Sequence, residues 1–317
     1  MPEPRQDIGG ILGRHARPIT PEQRQAVRDL SACRTAKLGG RIEECSACGK
    51  REHRYNSCGN RHCPVCQGSC RAAWLKREAS HLLPVEYHHL VFTLPAKAGQ
   101  LARRNPRLIY GLLFAAASVA VLEMAADPKH LGAQPGLTAV LHTWGQTLTL
   151  HPHLHVMASG GGLSCNRAGK VDPKPLWRSC RRGFFLPVRA LSRLFRGKFL
   201  AGLREAQQRG ELRLEREGQG SEAFEELLGE LYAQEWVVYS KPPTAGPVVV
   251  LKYRARYTYR VAISNKRLVK VTDEEVTFEY KDYRRNGKKA EMTLSGEEFA
   301  RRFLQHVLPK GFVRVRQ

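Results

Sequence analysis

"TLTLHPHLHVMASGGG", residues 147–162, sets His151, His153 and His155 on alternating positions of a run that otherwise reads as a buried strand. Side chains two apart on a strand share a face. His153 and His155 therefore aim their rings at one point, with Leu154 turned to the other side. His151 has the same parity, but Pro152 disturbs the strand beside it. Such a pair suits a divalent ion, which would need a third ligand and open positions for substrate. The plain alternative is polar residues on a half-exposed strand. Three imidazoles in a row beside the backbone-permissive "SGGG" weigh against it. No helical His pair with an intervening Glu, the usual zinc-hydrolase pattern, is present.

The chain around this stretch has 317 residues, with 52 Lys and Arg against 29 Asp and Glu, a net charge of +23. That length suggests two domains, with a boundary near residue 84: residues 1–84 and 85–317. The charge points to nucleic acid, because phosphate neutralisation supplies much of such binding. A membrane surface is disfavoured. The most apolar stretch, "LIYGLLFAAASVAVLEMAA" (108–126), is Ala-rich, carries a Glu and a Ser, and reads as a buried helix. The first ten residues hold no apolar leader core, so a cytoplasmic location and reduced cysteines are expected.

Seven of the nine cysteines lie between Cys33 and Cys70. "CSACGKREHRYNSCGNRHCPVCQ" (45–67) holds two C-x-x-C pairs, Cys45/Cys48 and Cys63/Cys66, with Cys58 and His62 between them. Thiolates at that spacing, with Gly49 and Pro64 allowing tight turns, suit tetrahedral structural zinc. Cys45, Cys48, Cys63 and Cys66 are the simplest four ligands. Cys58 or His62 could replace one, or join Cys33 in a second site. Lys50, Arg51, Arg54, Arg61 and Arg71 give this module either phosphate contacts or a solvated face.

The rest mixes helices and strands. Helices are expected at 20–40, behind a Thr cap, and at 71–84. Others are expected up to residue 126 and at 189–210, 221–235, 246–264 and 295–309. Strands are expected at 87–95, 137–145, 148–159 and 235–241, with a hairpin at 267–283. On the helix expected from Pro247, Tyr253 and Tyr257 are four apart and share a face. Arg254, Arg256 and Arg260 surround them, and Tyr259 falls off that face. A phenol becomes a useful nucleophile where a cation favours its phenolate.

In order along the chain stand "NSCGNRHCPVCQ", "LLPVEYHHLVFTLP", "HTWGQTLTLHPHLHVMASGG", "YRARYTYRVAISNKRL" and "HVLPKGFVRVR". With these motifs the chain resembles the two-tyrosine rolling-circle transposases of the IS91 insertion-sequence family, within the HUH superfamily. The resemblance implies an α+β fold: an HUH-type antiparallel sheet flanked by helices, preceded by a small, zinc-ribbon-like module. It implies nicking and joining of single-stranded DNA through a 5′-phosphotyrosine on Tyr253 and Tyr257, with Tyr257 favoured to act first. His153 and His155 would hold catalytic Mg²⁺ or Mn²⁺, with Gln146 as third ligand or, failing that, His151. Arg254, Arg256, Arg260, Lys266 and Arg267 would track the DNA backbone, and Trp144 or Tyr259 would stack on bases. No helicase motif is visible, so a host helicase would separate strands. The chain stops at "VRVRQ", where relatives are expected to continue. A plasmid replication initiator or relaxase shares this chemistry. A non-catalytic zinc-ribbon regulator and a water-activating metal hydrolase are the readings from other classes.

Overall fold

A computed structural model describes residues 5–68, 82–166, 168–214, 221–244 and 261–317. In chain order run α1 (Ile8–His15), α2 (Pro21–Ala32), β1 (Gly40–Glu44), β2 (Arg51–Tyr55), β3 (Tyr87–Thr93) and α3 (Ala96–Gln100). Then come α4 (Pro106–Ala126), β4 (Ala133–Trp144), β5 (Leu150–Ser164), β6 (Trp177–Ser179), α5 (Val188–Gln208), α6 (Ser221–Ala233) and β7 (Val238–Thr244). The C-terminal part holds β8 (Leu268–Val271), β9 (Glu275–Asp282), β10 (Lys288–Ser295), α7 (Gly296–Leu304) and β11 (Val315–Arg316). This is the α+β mixture of helices and antiparallel sheet that the family resemblance implied. The helices expected at 71–84 and 246–264 fall largely outside the described residues.

The chain divides into two compact units, and neither is continuous in sequence. One comprises Met1–Ala73, Trp144–Leu150 and Tyr259–Lys310. The other comprises Trp74–Thr143, His151–Thr258 and Gly311–Gln317. A single cut near residue 84 does not describe this division, because the N-terminal helices complete their core with C-terminal elements.

In the first unit, Thr20 caps α2 by accepting from Gln23 N, and the Gln23 side chain returns to the Thr20 backbone. This reciprocal cap satisfies two of the amides a helix start leaves bare. The helix was expected to reach Gly40 but stops at Ala32, because Arg34 turns to a positive φ of 57°. A short 3-10 turn, Ala36–Leu38, then leads to Gly39 at φ 67°, a conformation glycine adopts without strain. β1 and β2 form an unexpected hairpin, with Gly40 opposite Tyr55. β8, β9 and β10 make a three-stranded antiparallel sheet in the order β10-β9-β8. The expected hairpin is there, and β10 adds a third strand to it. Ser295 caps α7 through Glu298 N, as its sequence suggested. Ile8, Ile11, Leu12, Leu30, Phe278, Phe299 and Phe303 form one buried core with Cys33, Cys63 and Cys66.

The second unit is built on a sheet in the order β11-β4-β5-β3-β7, with β6 added to β5. β3 pairs with β5 in unbroken antiparallel register, from Tyr87 opposite Ser159 to Thr93 opposite His153. Period-two patterning then separates the two faces. Leu90 and Phe92 of β3 and Leu154, Val156 and Ala158 of β5 are buried on one of them. There Phe92 meets Phe195 of α5 edge to face at 5.1 Å, and Phe195 meets Trp236 at 5.2 Å. The opposite face carries His89, His153 and His155. α4 is long and apolar enough to cross a membrane. Here it is a core helix, with Ile109, Leu113, Ala117, Ala120 and Val121 fully buried.

Candidate metal centre

The described residues bring together two groups of metal-ligating side chains. The first is Cys33, Cys58, Cys63 and Cys66, all in the first unit. Their sulfurs lie within 4.8 Å of one another. Cys33 Sγ is 3.6 Å from both Cys63 Sγ and Cys66 Sγ, and Cys58 Sγ is 3.7 Å from Cys66 Sγ. A tetrahedral zinc with bonds of about 2.3 Å sets its thiolates about 3.8 Å apart, close to these three separations. Burial pushes the Cys58 thiol up and the Cys63 thiol up to about 12. Backbone amides and the other sulfurs outweigh burial at Cys66 and bring it down. The donor set and spacing fit structural zinc.

This quartet differs from the simplest set read from spacing. Cys63 and Cys66 belong to it, Cys58 is a full member, and Cys33 completes it. Cys45 and Cys48 are outside it, exposed on the turn between β1 and β2. Cys45 N donates to Lys50 O, Gly49 N donates to Cys45 O, and Gly49 takes the positive φ of 71° that the turn needs. His62 lies outside this quartet, and its Nε2 accepts from Leu308 N at 3.4 Å. The basic residues of this module are largely engaged. Arg51 pairs with Glu44, Lys50 with Glu52, and Arg54 with both Glu43 and Glu52. Arg61 donates to Pro309 O at 3.0 Å.

The second group is His142, His153 and His155, all in the second unit. His142 comes from β4 and the other two from β5. The His142 ring centroid is 4.6 Å from that of His155 and 5.4 Å from that of His153, and the last two are 5.0 Å apart. One nitrogen of each lies within 4.8 Å of the others. His142 is buried, and the pair on β5 is half-buried.

Neighbouring groups hold two of these rings by their Nδ1 edges. His153 Nδ1 meets His151 O at 2.7 Å, and only a protonated Nδ1 can bond a carbonyl. That fixes the tautomer and leaves Nε2 of His153 as the available ligand atom. His155 Nδ1 lies 2.9 Å from Nε2 of His89 on β3, with the two rings stacked at 5.1 Å. Burial, then the charges of Lys241 and His153, push His89 down to about 3, so it stays neutral. Three imidazoles converging from adjacent strands, with outer partners meeting two of them at Nδ1, fit a first-row divalent ion that keeps open positions.

His153 and His155 thus stand together as their spacing suggested, and the third imidazole is His142. Gln146 is occupied elsewhere: its Oε1 accepts from Lys281 N at 3.4 Å and its backbone O accepts from Arg267 Nη2 at 2.6 Å. His151 is exposed and contributes its carbonyl. Arg267 also donates to Glu279 O and lies over the Phe278 ring. Its guanidinium thus donates to two backbone carbonyls. Lys266 is exposed. Trp144 is buried against His306 and offers no face for a base. Tyr253, Tyr257, Tyr259, Arg254, Arg256 and Arg260 lie outside the described residues.

A family model described as "Putative transposase" matches residues 136–317, and a second, "Transposase zinc-binding domain", matches residues 10–94. The chain is 48% identical over 301 residues to "Putative transposase y4qJ" of Sinorhizobium fredii (strain NBRC 101917 / NGR234), covering 94% of this chain and 74% of that one. The chain belongs to the IS91 family of insertion-sequence transposases. It is also 27% identical over 302 residues to "Transposase for insertion sequence element IS801" of Pseudomonas savastanoi pv. phaseolicola, covering 92% of this chain and 68% of that one. No solved structure matches it significantly. As a transposase it is a DNA-cleaving, strand-transferring enzyme that binds DNA. The zinc-binding match spans all four clustered cysteines, which supports structural zinc at that site. The histidine cluster lies wholly inside the other match.

Proposed function

We propose that this transposase nicks and rejoins single-stranded DNA by the HUH-type reaction, with Tyr253 and Tyr257 as nucleophiles, in rolling-circle transposition. The observation that carries the reading is the three-imidazole cluster of His142, His153 and His155 on adjacent strands of an antiparallel sheet. Those residues would hold Mg²⁺ or Mn²⁺, which supplies charge stabilisation at the scissile phosphate. The chain's own chemistry is a transesterification. The phenol oxygen of one tyrosine attacks phosphorus in line as its proton leaves. The bond to the 3′ oxygen breaks, giving a free 3′-hydroxyl and a 5′-phosphotyrosine. The linkage keeps the phosphodiester energy, so a 3′-hydroxyl can reverse the step without ATP. A second tyrosine lets one site hold a second cleaved strand. Lys266, with Arg254, Arg256 and Arg260, would track phosphates, and strand separation would fall to a host helicase at the nucleoid, in the cytoplasm. A plasmid-type replication initiator would use the same groups, and the names of the relatives favour transposition.

The test incubates purified protein, Mn²⁺ and end-labelled single-stranded DNA from the element's ends, and resolves the products on a denaturing gel. A covalent adduct is expected, mapping to Tyr253 or Tyr257 and absent from the double Phe variant. Cleavage without adduct would instead favour a water-activating hydrolase. Binding without cleavage in every variant would favour a non-catalytic regulator.

A further inference from the structure

β6 and its flanks carry a surface that the histidine chemistry does not use. From Pro173 to Ser179 and from Arg181 to Phe184 every residue is exposed. Three are large and apolar: Leu176 at 74% exposure, Trp177 at 41% and Phe184 at 48%. Soluble surfaces seldom show so many together without a partner. Interleaved with them are Lys174, Arg178, Arg181 and Arg182. None of these four has an acidic partner among the described residues. The β1–β2 hairpin is equally basic, yet there the positive charges are matched by Glu43, Glu44 and Glu52. The β6 surface keeps its charge open.

Trp177 packs closely over Gly161 of β5. A methyl at Gly161 would lie 2.7 Å from Trp177 Cζ2, so the ring sits where a side chain at Gly161 would stand. Its Nε1 donates to Ser179 Oγ at 3.2 Å, which fixes the ring's rotation. The glycine run Gly160–Gly162 is thereby explained. A methyl at Gly160 would meet Glu86 O at 2.7 Å, and one at Gly162 would meet Gln134 O at 2.3 Å. All three glycines let neighbouring backbone or rings approach closely.

Trp177 and Ser179 lie on the same face of β5 as the histidines. Leu163 stands opposite Trp177 and Gly161 opposite Ser179, and directly opposed residues share a face. Positions 153, 155, 161 and 163 share one parity on a single continuous strand. From His155 to Gly161 is six residues, or about 20 Å at the usual strand rise. A half-exposed indole among unmatched arginines is the combination that holds unpaired bases and their phosphates.

We propose that the β6 surface is a second single-strand binding platform, stacking one base on Trp177 and taking phosphates on Arg181 and Arg182, so that a DNA strand runs along β5 to the histidine cluster. The proposal rests on the single-strand reading of function above, and the experiment separates the two. Full-length protein is titrated into fluorescein-labelled oligothymidine of about 30 nucleotides, long enough for several binding modules. Anisotropy is read across a salt series.

Trp177→Ala should weaken binding about tenfold, the loss of one stacked base, and Trp177→Phe should keep wild-type affinity. The double variant Arg181→Ala/Arg182→Ala should lower the log–log salt slope by about 1.4, the loss of two phosphate contacts on a single strand. These arginines are exposed, so this variant tests the surface independently of any folding effect at Trp177. Binding should also quench tryptophan emission in the wild type and less so in Trp177→Ala. Wild-type binding that all three variants reproduce, with an unchanged slope, would overturn the platform and leave the nicking reaction standing. No binding by wild type at low salt would overturn both. A change of oligomeric state in Trp177→Ala at unchanged DNA affinity would make the surface a protein interface and also overturn the proposal.

Discussion

His89 Nε2 and His155 Nδ1 face each other at 2.9 Å across β3 and β5, diagonal neighbours on one face of the sheet. One proton lies between two ring nitrogens. If His155 uses Nε2 as its ligand atom, its Nδ1 carries that proton and His89 Nε2 accepts it. His89 therefore positions the ring and raises its basicity without touching the ion. His89→Ala should weaken Mn²⁺ binding about 10- to 100-fold, the usual cost of losing an outer partner. His89→Gln, whose side-chain oxygen can accept the same proton, should recover part of the loss. Calorimetric titration with Mn²⁺ reads both. Equal affinity in His89→Ala and wild type would remove this role.

The zinc module makes a prediction that distinguishes two ligand sets. Cys33, Cys63 and Cys66 lie in the same buried core as Ile8, Leu30 and Phe299. Metal bound there contributes directly to the folding of the first unit. Cys33→Ser and Cys58→Ser should each lose zinc and lower the melting temperature. Cys45→Ser/Cys48→Ser should keep one zinc per chain, because those thiols stand exposed on the β1–β2 turn. Metal analysis by mass spectrometry decides it. Zinc retained in Cys58→Ser and lost in the hairpin variant would reverse the assignment.

What was legible in the sequence was local. The caps at Thr20 and Ser295 need only three following residues, and both are present. The shared face of His153 and His155 follows from a period of two. His142 was hidden because its place beside them depends on how β4 folds back on β5, through a loop with Leu148 at a positive φ of 60°. A signal did exist: one histidine near the end of the preceding strand, "LTAVLHTWG". Cys33 was read only as a second-site ligand for a different reason. C-x-x-C spacing draws attention to pairs, whereas Cys33 is a single thiol at the end of α2. The joining of α1 and α2 to the C-terminal sheet is wholly non-local. β10, "KKAEMTLS", is half-exposed at best and has little apolar patterning to reveal it.

His306 sets a pH dependence of stability. It is fully buried, its Nε2 donates to Leu148 O at 3.1 Å, and burial pushes it down to about 4. In the unfolded chain it would titrate near 6.5. Above 6.5 both states are neutral and the site contributes fully. As pH falls from 6.5 toward 4 the unfolded state takes up a proton that the folded state refuses. Stability is then lost at about 1.4 kcal/mol per pH unit from this group. His306→Gln should be less stable at pH 7 but should fall less steeply between pH 6.5 and 4.5. Chemical denaturation at several pH values measures the slope. Equal slopes in the two proteins would show that other groups set the acid sensitivity.

The third ligand of the histidine centre can be settled by comparing two substitutions. His142 is buried, and its ring lies 4.6 Å from that of His155. Gln146 gives its side-chain oxygen to Lys281 N and its carbonyl to Arg267. A site with three protein ligands loses much of its affinity when one is removed, because the ion must then replace a fixed imidazole by water. His142→Ala should therefore reduce Mn²⁺ affinity by at least about tenfold and abolish adduct formation at low metal, with activity partly restored at high Mn²⁺. Gln146→Ala should leave Mn²⁺ affinity within about twofold, since the side chain supports one backbone amide and any loss falls on stability. His151→Ala should also bind Mn²⁺ normally, because the substitution keeps the carbonyl that bonds the His153 ring. Binding of single-stranded DNA in the absence of metal should be unchanged in all three. Loss of metal in Gln146→Ala with retention in His142→Ala would return Gln146 to the site in place of His142.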